Sequence, residues 1–207
     1  MAKLYLAALL AVAAAAAHAQ SPKVTLEPSP DSAEQRKASQ KLTACLAEAR
    51  PRWARNTLSR PYLSDAQAFD ASAAVRGRDT CLTSRDGVEV TFRTSLMVGS
   101  LAEHFLKDEI RRADARRLAE KLSTLPPRNV TEDFALCVTA RNPAAASDLA
   151  LSEPGSAAEE DAARRVFSYV EPCRQENEEL TVDLQALRAL VAAALYRGVN
   201  EVLTAGS

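Results

Sequence analysis

The sequence predicts an all-α protein made of two tandem helical repeats, each closed by its own disulfide bond. The 207-residue chain is alanine-rich but holds only 6 glycines and 5% aromatic residues, which favours helices over a turn-rich sandwich or barrel. Its four cysteines form two pairs with the same spacing of 36 residues. Short motifs around the first pair also recur around the second pair.

The first 19 residues are predicted to be a secretory signal peptide. Lys3 precedes an apolar run of about 14 residues that ends in Ala17-His18-Ala19, a small-x-small cleavage pattern. This run is shorter than the roughly 20 residues that cross a bilayer. We therefore expect cleavage between Ala19 and Gln20, and a periplasmic or secreted protein without a membrane span in its mature chain. Residues 20–31 hold three prolines and predict a flexible linker.

The two predicted repeats, residues 32–106 and 128–207, share an ordered set of motifs. Each has a proline six residues after its first cysteine, a Leu-Ser-x-Pro run and a Ser-x-x-Gln or Ser-x-x-Glu capping box. An alternating segment and an apolar helix follow the second cysteine. The members are Cys45, Pro51, 58–61, 64–67, Cys81, 88–92 and 96–106 in the first repeat, and Cys137, Pro143, 151–154, 156–159, Cys173, 180–184 and 187–196 in the second.

These motifs predict the same order of elements in each repeat. The helix that carries the first cysteine should end before the proline, because proline disfavours helical geometry in the preceding residue. A loop follows, and the capping box then starts a shorter helix. Segments 88–92 and 180–184 are predicted to be extended and to offer a two-stranded pairing between the repeats. Residues 107–127 predict a connecting helix.

The helix boundaries have their own signals at the start of each repeat. Asp31 and Glu34 have the spacing of a cap residue and a reaching carboxylate, so the first helix should begin near Ser32. Thr131 is the predicted cap of the first helix in the second repeat.

The four cysteines are predicted to be structural. An exported protein enters an oxidising compartment, which favours paired over free thiols. Four cysteines allow three connectivities, and the duplication favours Cys45 with Cys81 and Cys137 with Cys173. The chain has no C-x-x-C pair for redox exchange, and its cysteines lack the close spacing of zinc ligands. The sequence therefore indicates no cofactor and no metal site.

Motifs for catalysis or nucleic-acid binding are not recognised. Beyond the signal peptide the only histidine is His104, which follows Glu103 and is interpreted as an ordinary helix residue rather than a catalytic base. A net charge of −1 argues against a nucleic-acid binder, because phosphate affinity comes mainly from excess lysine and arginine.

One short segment combines basic and aromatic residues and is a candidate partner-binding surface. It contains Arg52, Trp53, Arg55 and Arg60. Arginine forks and aromatic faces suit acidic or phosphate-rich partners. The alternative is a solvated segment with Trp53 tucked into the core.

The second repeat resembles a group of uncharacterised secreted bacterial proteins. The resemblance is carried by the run from Phe134 through Cys137 to Pro143, by Leu151-Ser-Glu-Pro-Gly-Ser156 and by the apolar segment 187–196. It implies export and a helical fold with spaced cysteines, and it implies no activity and no site residues.

The sequence thus predicts an exported binding module without catalysis, whose partner is another envelope or secreted protein. Two alternatives stay open at this point. One is a hydrolytic enzyme with a site that the sequence does not reveal, and the other is a structural or stress-related envelope protein. The oligomeric state is left open.

Overall fold

A computed structural model describes residues 24–76, 81, 93–174 and 180–205. Within these ranges the chain is mostly helical, as predicted. The helices are α1 (Ala33–Ala49), α2 (Pro51–Ser59), α3 (Asp65–Arg76), α4 (Thr94–Glu109), α5 (Ala115–Thr124), α6 (Val130–Arg141), α7 (Pro143–Leu151), α8 (Ala157–Phe167), α9 (Val170–Cys173) and α10 (Leu184–Ala205). Two short strands, β1 (Val24–Glu27) and β2 (Leu180–Asp183), complete the described elements. None of the helices in these ranges is both long enough and apolar enough to cross a membrane.

Both disulfide bonds follow the predicted pairing. Cys45 of α1 is bonded to Cys81, and Cys137 of α6 is bonded to Cys173 of α9. Free cysteines are absent from the described residues. Each bond closes a loop of 36 residues, which the chain-entropy model values at about 4 kcal/mol as an upper figure.

The two prolines that lie six residues after Cys45 and Cys137 begin helices. This corrects the prediction of a loop after each proline. Pro51 is the first residue of α2 and Pro143 is the first residue of α7. Proline suits a first helical position, where its fixed φ fits and its missing N–H has no partner to lose. The predicted breaks just before the prolines are confirmed at Arg50 and Asn142, which leave helical geometry.

The helix caps differ by one or two residues from those predicted. Helix α1 is preceded by a capping box in which the Ser32 hydroxyl accepts from the Gln35 N–H, and the Gln35 side chain accepts from the Ser32 N–H. The predicted start near Ser32 is thus correct, although Asp31 is not the cap. Helix α6 is capped by Asn129, whose side chain accepts from the Glu132 N–H, so the prediction for Thr131 is wrong.

The interpretation of residues 20–31 as a flexible linker is wrong for Val24–Glu27. These residues form β1, which pairs in parallel with β2 from Val24 opposite Leu180 to Glu27 opposite Asp183. Pro28 follows the strand and therefore removes none of its ladder hydrogen bonds. Residues 88–92, which are predicted to pair with residues 180–184, lie outside the described residues, as do residues 1–23.

The predicted connecting helix, residues 107–127, is divided among three elements. Helix α4 continues to Glu109, a 3-10 turn covers Ile110–Arg112, and α5 begins after Asp114. The Asp114 side chain accepts from the Arg117 N–H at 2.8 Å and so caps α5. Aspartate favours such caps over helix interiors, which explains the break.

Helices α4 and α10 form the centre of the molecule. They pack closely at Gly99, where an added Cβ would lie 2.5 Å from the Ala189 Cβ, so this contact requires glycine. Residues of both predicted repeats contribute to the main buried cluster, and the halves therefore share one hydrophobic core. Helix α1 packs on α4, and the turn between α7 and α8 lies near the amino-terminal part of α10. This arrangement leaves an opening between α1, α4 and that turn.

Candidate functional site: a cationic cleft

The opening between α1, α4 and the α7–α8 turn is a cleft with a volume of about 380 Å³. This volume is in the usual range for ligand sites, roughly 300–1,000 Å³. Its lining consists of Lys37, Gln40, Lys41, Ala44, Glu103, Lys107, Ala150, Leu151, Ser152, Glu153, Pro154 and Arg188. We call this set the cleft.

Helical periodicity places the cleft residues on two facing stripes. Lys37, Gln40, Lys41 and Ala44 are spaced i, i+3, i+4 and i+7 on α1, so they share one face. Glu103 and Lys107 have the i, i+4 spacing on α4. Like charges at i, i+4 repel each other on a helix, which applies to Lys37 and Lys41 of α1.

A buried network of charged side chains forms the floor of the cleft. The Arg188 guanidinium lies 2.6 Å from a Glu103 oxygen and 2.8 Å from a Glu159 oxygen. Arg36 donates to the same Glu159 oxygen at 2.6 Å, and the Gln40 amide donates to Glu103 at 2.6 Å. The charged side chains are at most 9% exposed. Two arginines and two glutamates leave this floor with no net charge.

The floor also fixes the α7–α8 turn. Arg188 donates to the backbone carbonyls of Ala150 and Ser152, at 3.1 and 2.8 Å, and to the Ser152 hydroxyl at 3.2 Å. On the far side of the turn, Gly155 donates its N–H to Glu159 at 2.7 Å. One arginine and one glutamate therefore hold the cleft wall in place from below.

Electrostatics favours the charged forms of Glu159 and Arg188. Burial disfavours the charged form of Glu159, but hydrogen bonds from Arg36 and the Gly155 N–H, with the charge of Arg188, hold its pKa below the ordinary value. Burial likewise opposes the charge on Arg188, and the carboxylates of Glu103 and Glu159 outweigh it and raise the pKa of Arg188.

The rim of the cleft is positive. Lys37 forms an ion pair with Glu153 across the cleft, at 2.5 Å, with side chains that are 40% and 69% exposed. Within the described part of the chain, no carboxylate lies within ion-pair distance of Lys41 or Lys107, which are both exposed. Since the floor and the Lys37 pair are neutral, these two lysines give the cleft its net positive charge.

The predicted partner-binding residues lie elsewhere, on α2 and just after it. The Trp53 indole N–H donates to the Asp70 carbonyl at 2.9 Å, and its ring packs half-buried against the core. Arg60 forms an ion pair with the Asp70 carboxylate at 3.0 Å. Both residues therefore hold α2 and the following turn against α3.

Arg55 is also used within the chain. Its guanidinium lies 4.3 Å from the centre of the Phe105 ring and donates to Glu109 at 2.7 Å. Arg52 is exposed on the same helix. Partner binding by the α2 arginines stays a prediction, with Arg52 the member best placed for it.

His104 is apart from the cleft. Its ring is half-buried and makes an edge contact with Phe105, with ring centres 5.2 Å apart. It is absent from the lining of the cleft, so it does not meet the Ser152 hydroxyl there.

One local sequence feature marks the cleft, the pair of lysines at positions 37 and 41 with the i, i+4 spacing. The other members come from α4, the α7–α8 turn and α10, and no local pattern connects them. Comparison with known families, with curated proteins and with solved structures finds no match for this chain.

Proposed function

We propose that the protein is a non-catalytic binding module that acts outside the cytoplasm, and that its cleft binds an acidic segment of another exported protein. The observation that carries this proposal is the pair of uncompensated lysines, Lys41 and Lys107, over a neutral and buried floor. Charged groups that lack a partner in the free protein and line one cleft are suited to a ligand of opposite charge.

The compartment is supported by two independent features. Disulfide bonds persist mainly in oxidising compartments such as the periplasm or the extracellular space, and the described cysteines are all paired. The predicted signal peptide, residues 1–19 with cleavage after Ala19, agrees with export.

A peptide segment suits the cleft better than an isolated anion does. Leu151, which lines the cleft, is 38% exposed, and the half-buried Ala44 adds apolar surface beside the lysines. Acidic side chains would face Lys41 and Lys107, and an apolar side chain would cover Leu151.

The chemistry of the lining favours binding over hydrolysis. The Ser152 hydroxyl donates to the Leu149 carbonyl at 2.8 Å and accepts from Arg188, so its proton is not directed to a base. The two lining carboxylates, Glu103 and Glu153, are held by Arg188 and Lys37. An activated nucleophile needs a neighbouring general base, which these contacts do not supply.

The test is a titration of the disulfide-bonded protein with a fluorescein-labelled peptide Glu-Glu-Leu-Glu-Glu, followed by fluorescence anisotropy. We expect the double variant Lys41→Glu/Lys107→Glu to bind at least tenfold more weakly than the unmodified protein, and the unmodified protein to lose affinity as salt is added. The matched control is Arg116→Glu/Arg117→Glu, which makes the same change in net charge on the exposed face of α5.

The control should keep its affinity within twofold. An equal loss in both double variants would mean that overall charge, and not the cleft, attracts the peptide. Unchanged binding in the cleft variant would overturn the proposal.

We infer in addition that the two halves are copies of one unit. In support, a separation of 92 residues relates Pro51 to Pro143 and Ser64 to Ser156, which begin or cap corresponding helices. The two disulfides, each with a separation of 36, occupy corresponding places along the chain. The equivalence of the two turns is tested by substitution, as described below.

A further inference from the structure

Glu153 differs from the other carboxylate in the cleft. Glu103 is buried and held by Arg188 at 2.6 Å and by Gln40 at 2.6 Å, so it belongs to the floor. Glu153 is 69% exposed, and its contact is with Lys37 on the opposite wall. Glu153 is thus an exposed carboxylate that pairs with a lysine of the cleft from the solvent side.

The backbone around Glu153 is fixed while its side chain is exposed. Ser152, on one side, is held by Arg188 through its carbonyl at 2.8 Å. Pro154, on the other side, is buried and has a restricted φ. Displacement of the Glu153 carboxylate therefore requires a side-chain rotation and no movement of the turn.

The Lys37 pair is weak enough to be replaced. Exposed ion pairs contribute little net stability, because water screens them and both long side chains lose freedom. The hydrogen bond to Glu153 raises the pKa of Lys37 while the pair is closed. Lys37 stays charged when the pair opens, because the ordinary pKa of lysine, about 10.4, is far above neutral pH.

We infer that Glu153 competes with the acidic ligand for Lys37. When the ligand binds, one of its carboxylates replaces Glu153 on Lys37, and further carboxylates face Lys41 and Lys107. This inference rests on the proposed function of the cleft. It defines the ligand as a segment with at least two acidic side chains, because one alone would gain only what Glu153 gives up.

The experiment compares Glu153→Gln with Glu34→Gln in the same peptide titration. Glu34 is exposed in the first turn of α1 and acts on Lys37 through space, but it does not line the cleft. Both variants remove one negative charge near Lys37, and Glu153→Gln alone removes the competing contact. We expect at least fivefold tighter binding for Glu153→Gln and less than twofold tighter binding for Glu34→Gln.

A third variant shows whether the gain passes through Lys37. In a Lys37→Gln background, Glu153→Gln should give less than a twofold gain. Equal gains in the Glu153 and Glu34 variants, or a full gain without Lys37, would overturn the displacement inference. If the peptide binding depends on Lys41 and Lys107 but Glu153→Gln does not tighten it, only this inference fails. If binding is independent of those lysines, the proposed function fails.

Discussion

The turns that precede α3 and α8 have the same backbone design but different closing side chains. The residue before each serine cap has a left-handed φ, 59° at Leu63 and 79° at Gly155. In the first turn Gln67 accepts from the Leu63 N–H at 2.9 Å, and in the second Glu159 accepts from the Gly155 N–H at 2.7 Å. The neutral Gln67 also donates to the Thr57 carbonyl, whereas Glu159 binds two buried arginines.

The neighbouring helix places the other residue type near each turn, a glutamate near the first turn and a glutamine near the second. Gln40 lines the cleft near the second turn. Glu132 lies at the first turn and accepts from the Tyr62 N–H at 2.9 Å. Glu132 follows Gln40 by 92 residues, and Glu159 follows Gln67 by the same number. The two turns therefore have a glutamate and a glutamine in exchanged places, although Gln40 donates to Glu103 and not to the turn itself.

The difference coincides with the position of the cleft, which lies beside the second turn. There the buried Glu159 draws Arg188 under the α7–α8 turn and makes a charged floor. At the first turn Glu132 instead pairs with Arg128 and Arg197, and the neighbouring cavity is only about 20 Å³. The lesson is that one turn design supports either a closed contact or an open cleft, according to where the carboxylate stands.

The largest expected effect is loss of Arg188. Arg188→Met should lower the free energy of unfolding by about 3–5 kcal/mol, because it leaves two buried carboxylates with one cation, Arg36. Arg197→Met should cost about 1–2 kcal/mol, since Glu132 retains Arg128. Urea unfolding measures both values. Equal losses would mean that the two charged clusters do not differ as described.

The disulfides should contribute equally, because their loops have the same length of 36 residues. Replacement of Cys45 and Cys81 by alanine, or of Cys137 and Cys173, should lower the free energy of unfolding by about 2–4 kcal/mol in each case. Urea unfolding without reductant gives the two losses. A loss confined to one pair would break the proposed equivalence of the halves.

The two residues with left-handed φ provide a smaller and unequal pair of effects. Gly155→Ala should destabilise the fold by about 1–2 kcal/mol, because of its φ and because an added Cβ would lie 2.5 Å from the Ala33 Cβ. Leu63→Gly should change stability by less than about 1 kcal/mol, since glycine tolerates the φ of 59° that leucine adopts there under strain. Thermal unfolding distinguishes them, and a larger loss for Leu63→Gly would contradict the backbone comparison.

Acidification should weaken both turns. Near neutral pH this is the smallest of the expected effects. Burial disfavours the charge of Glu132, yet hydrogen bonds from Arg128 and the Tyr62 N–H hold its pKa below the ordinary value, as in Glu159. A lowered pKa gives stability that is complete above the unfolded value, about 4.3, and is lost as the pH falls through the folded value.

The free energy of unfolding should therefore be flat from pH 7 to about 5 and fall below about pH 4.3. Urea unfolding at a series of pH values measures this. In Glu132→Gln, the free energy of unfolding should fall less steeply with acidification than in the unmodified protein. An unchanged slope would show that the partners of Glu132 do not keep its carboxylate ionised.

Local signals in the sequence were sufficient for much of the fold. Proline and serine act within one helical turn, so Pro51, Pro143, Ser64 and Ser156 mark helix starts without tertiary information. The equal cysteine spacing likewise favoured the observed pairing. By contrast, β1 lies next to β2 from the far end of the chain, and no local pattern in 24–27 specifies that partner.

The candidate site was beyond the reach of the same signals. A run of arginines around Trp53 is conspicuous in sequence, but Arg55 and Arg60 are used to join α2 to α4 and α3. The cleft depends on Lys41, Lys107 and Arg188, which are far apart in sequence and meet only because α1 and α10 both pack on α4.

The most direct test of the cleft is amide chemical-shift mapping of the isotope-labelled, disulfide-bonded protein during titration with Glu-Glu-Leu-Glu-Glu. We predict saturable shifts that centre on Lys41, Lys107 and Glu153. Shifts that centre on Arg52 of α2 instead, or no saturable shifts at all, would contradict the assignment of the cleft as the binding site.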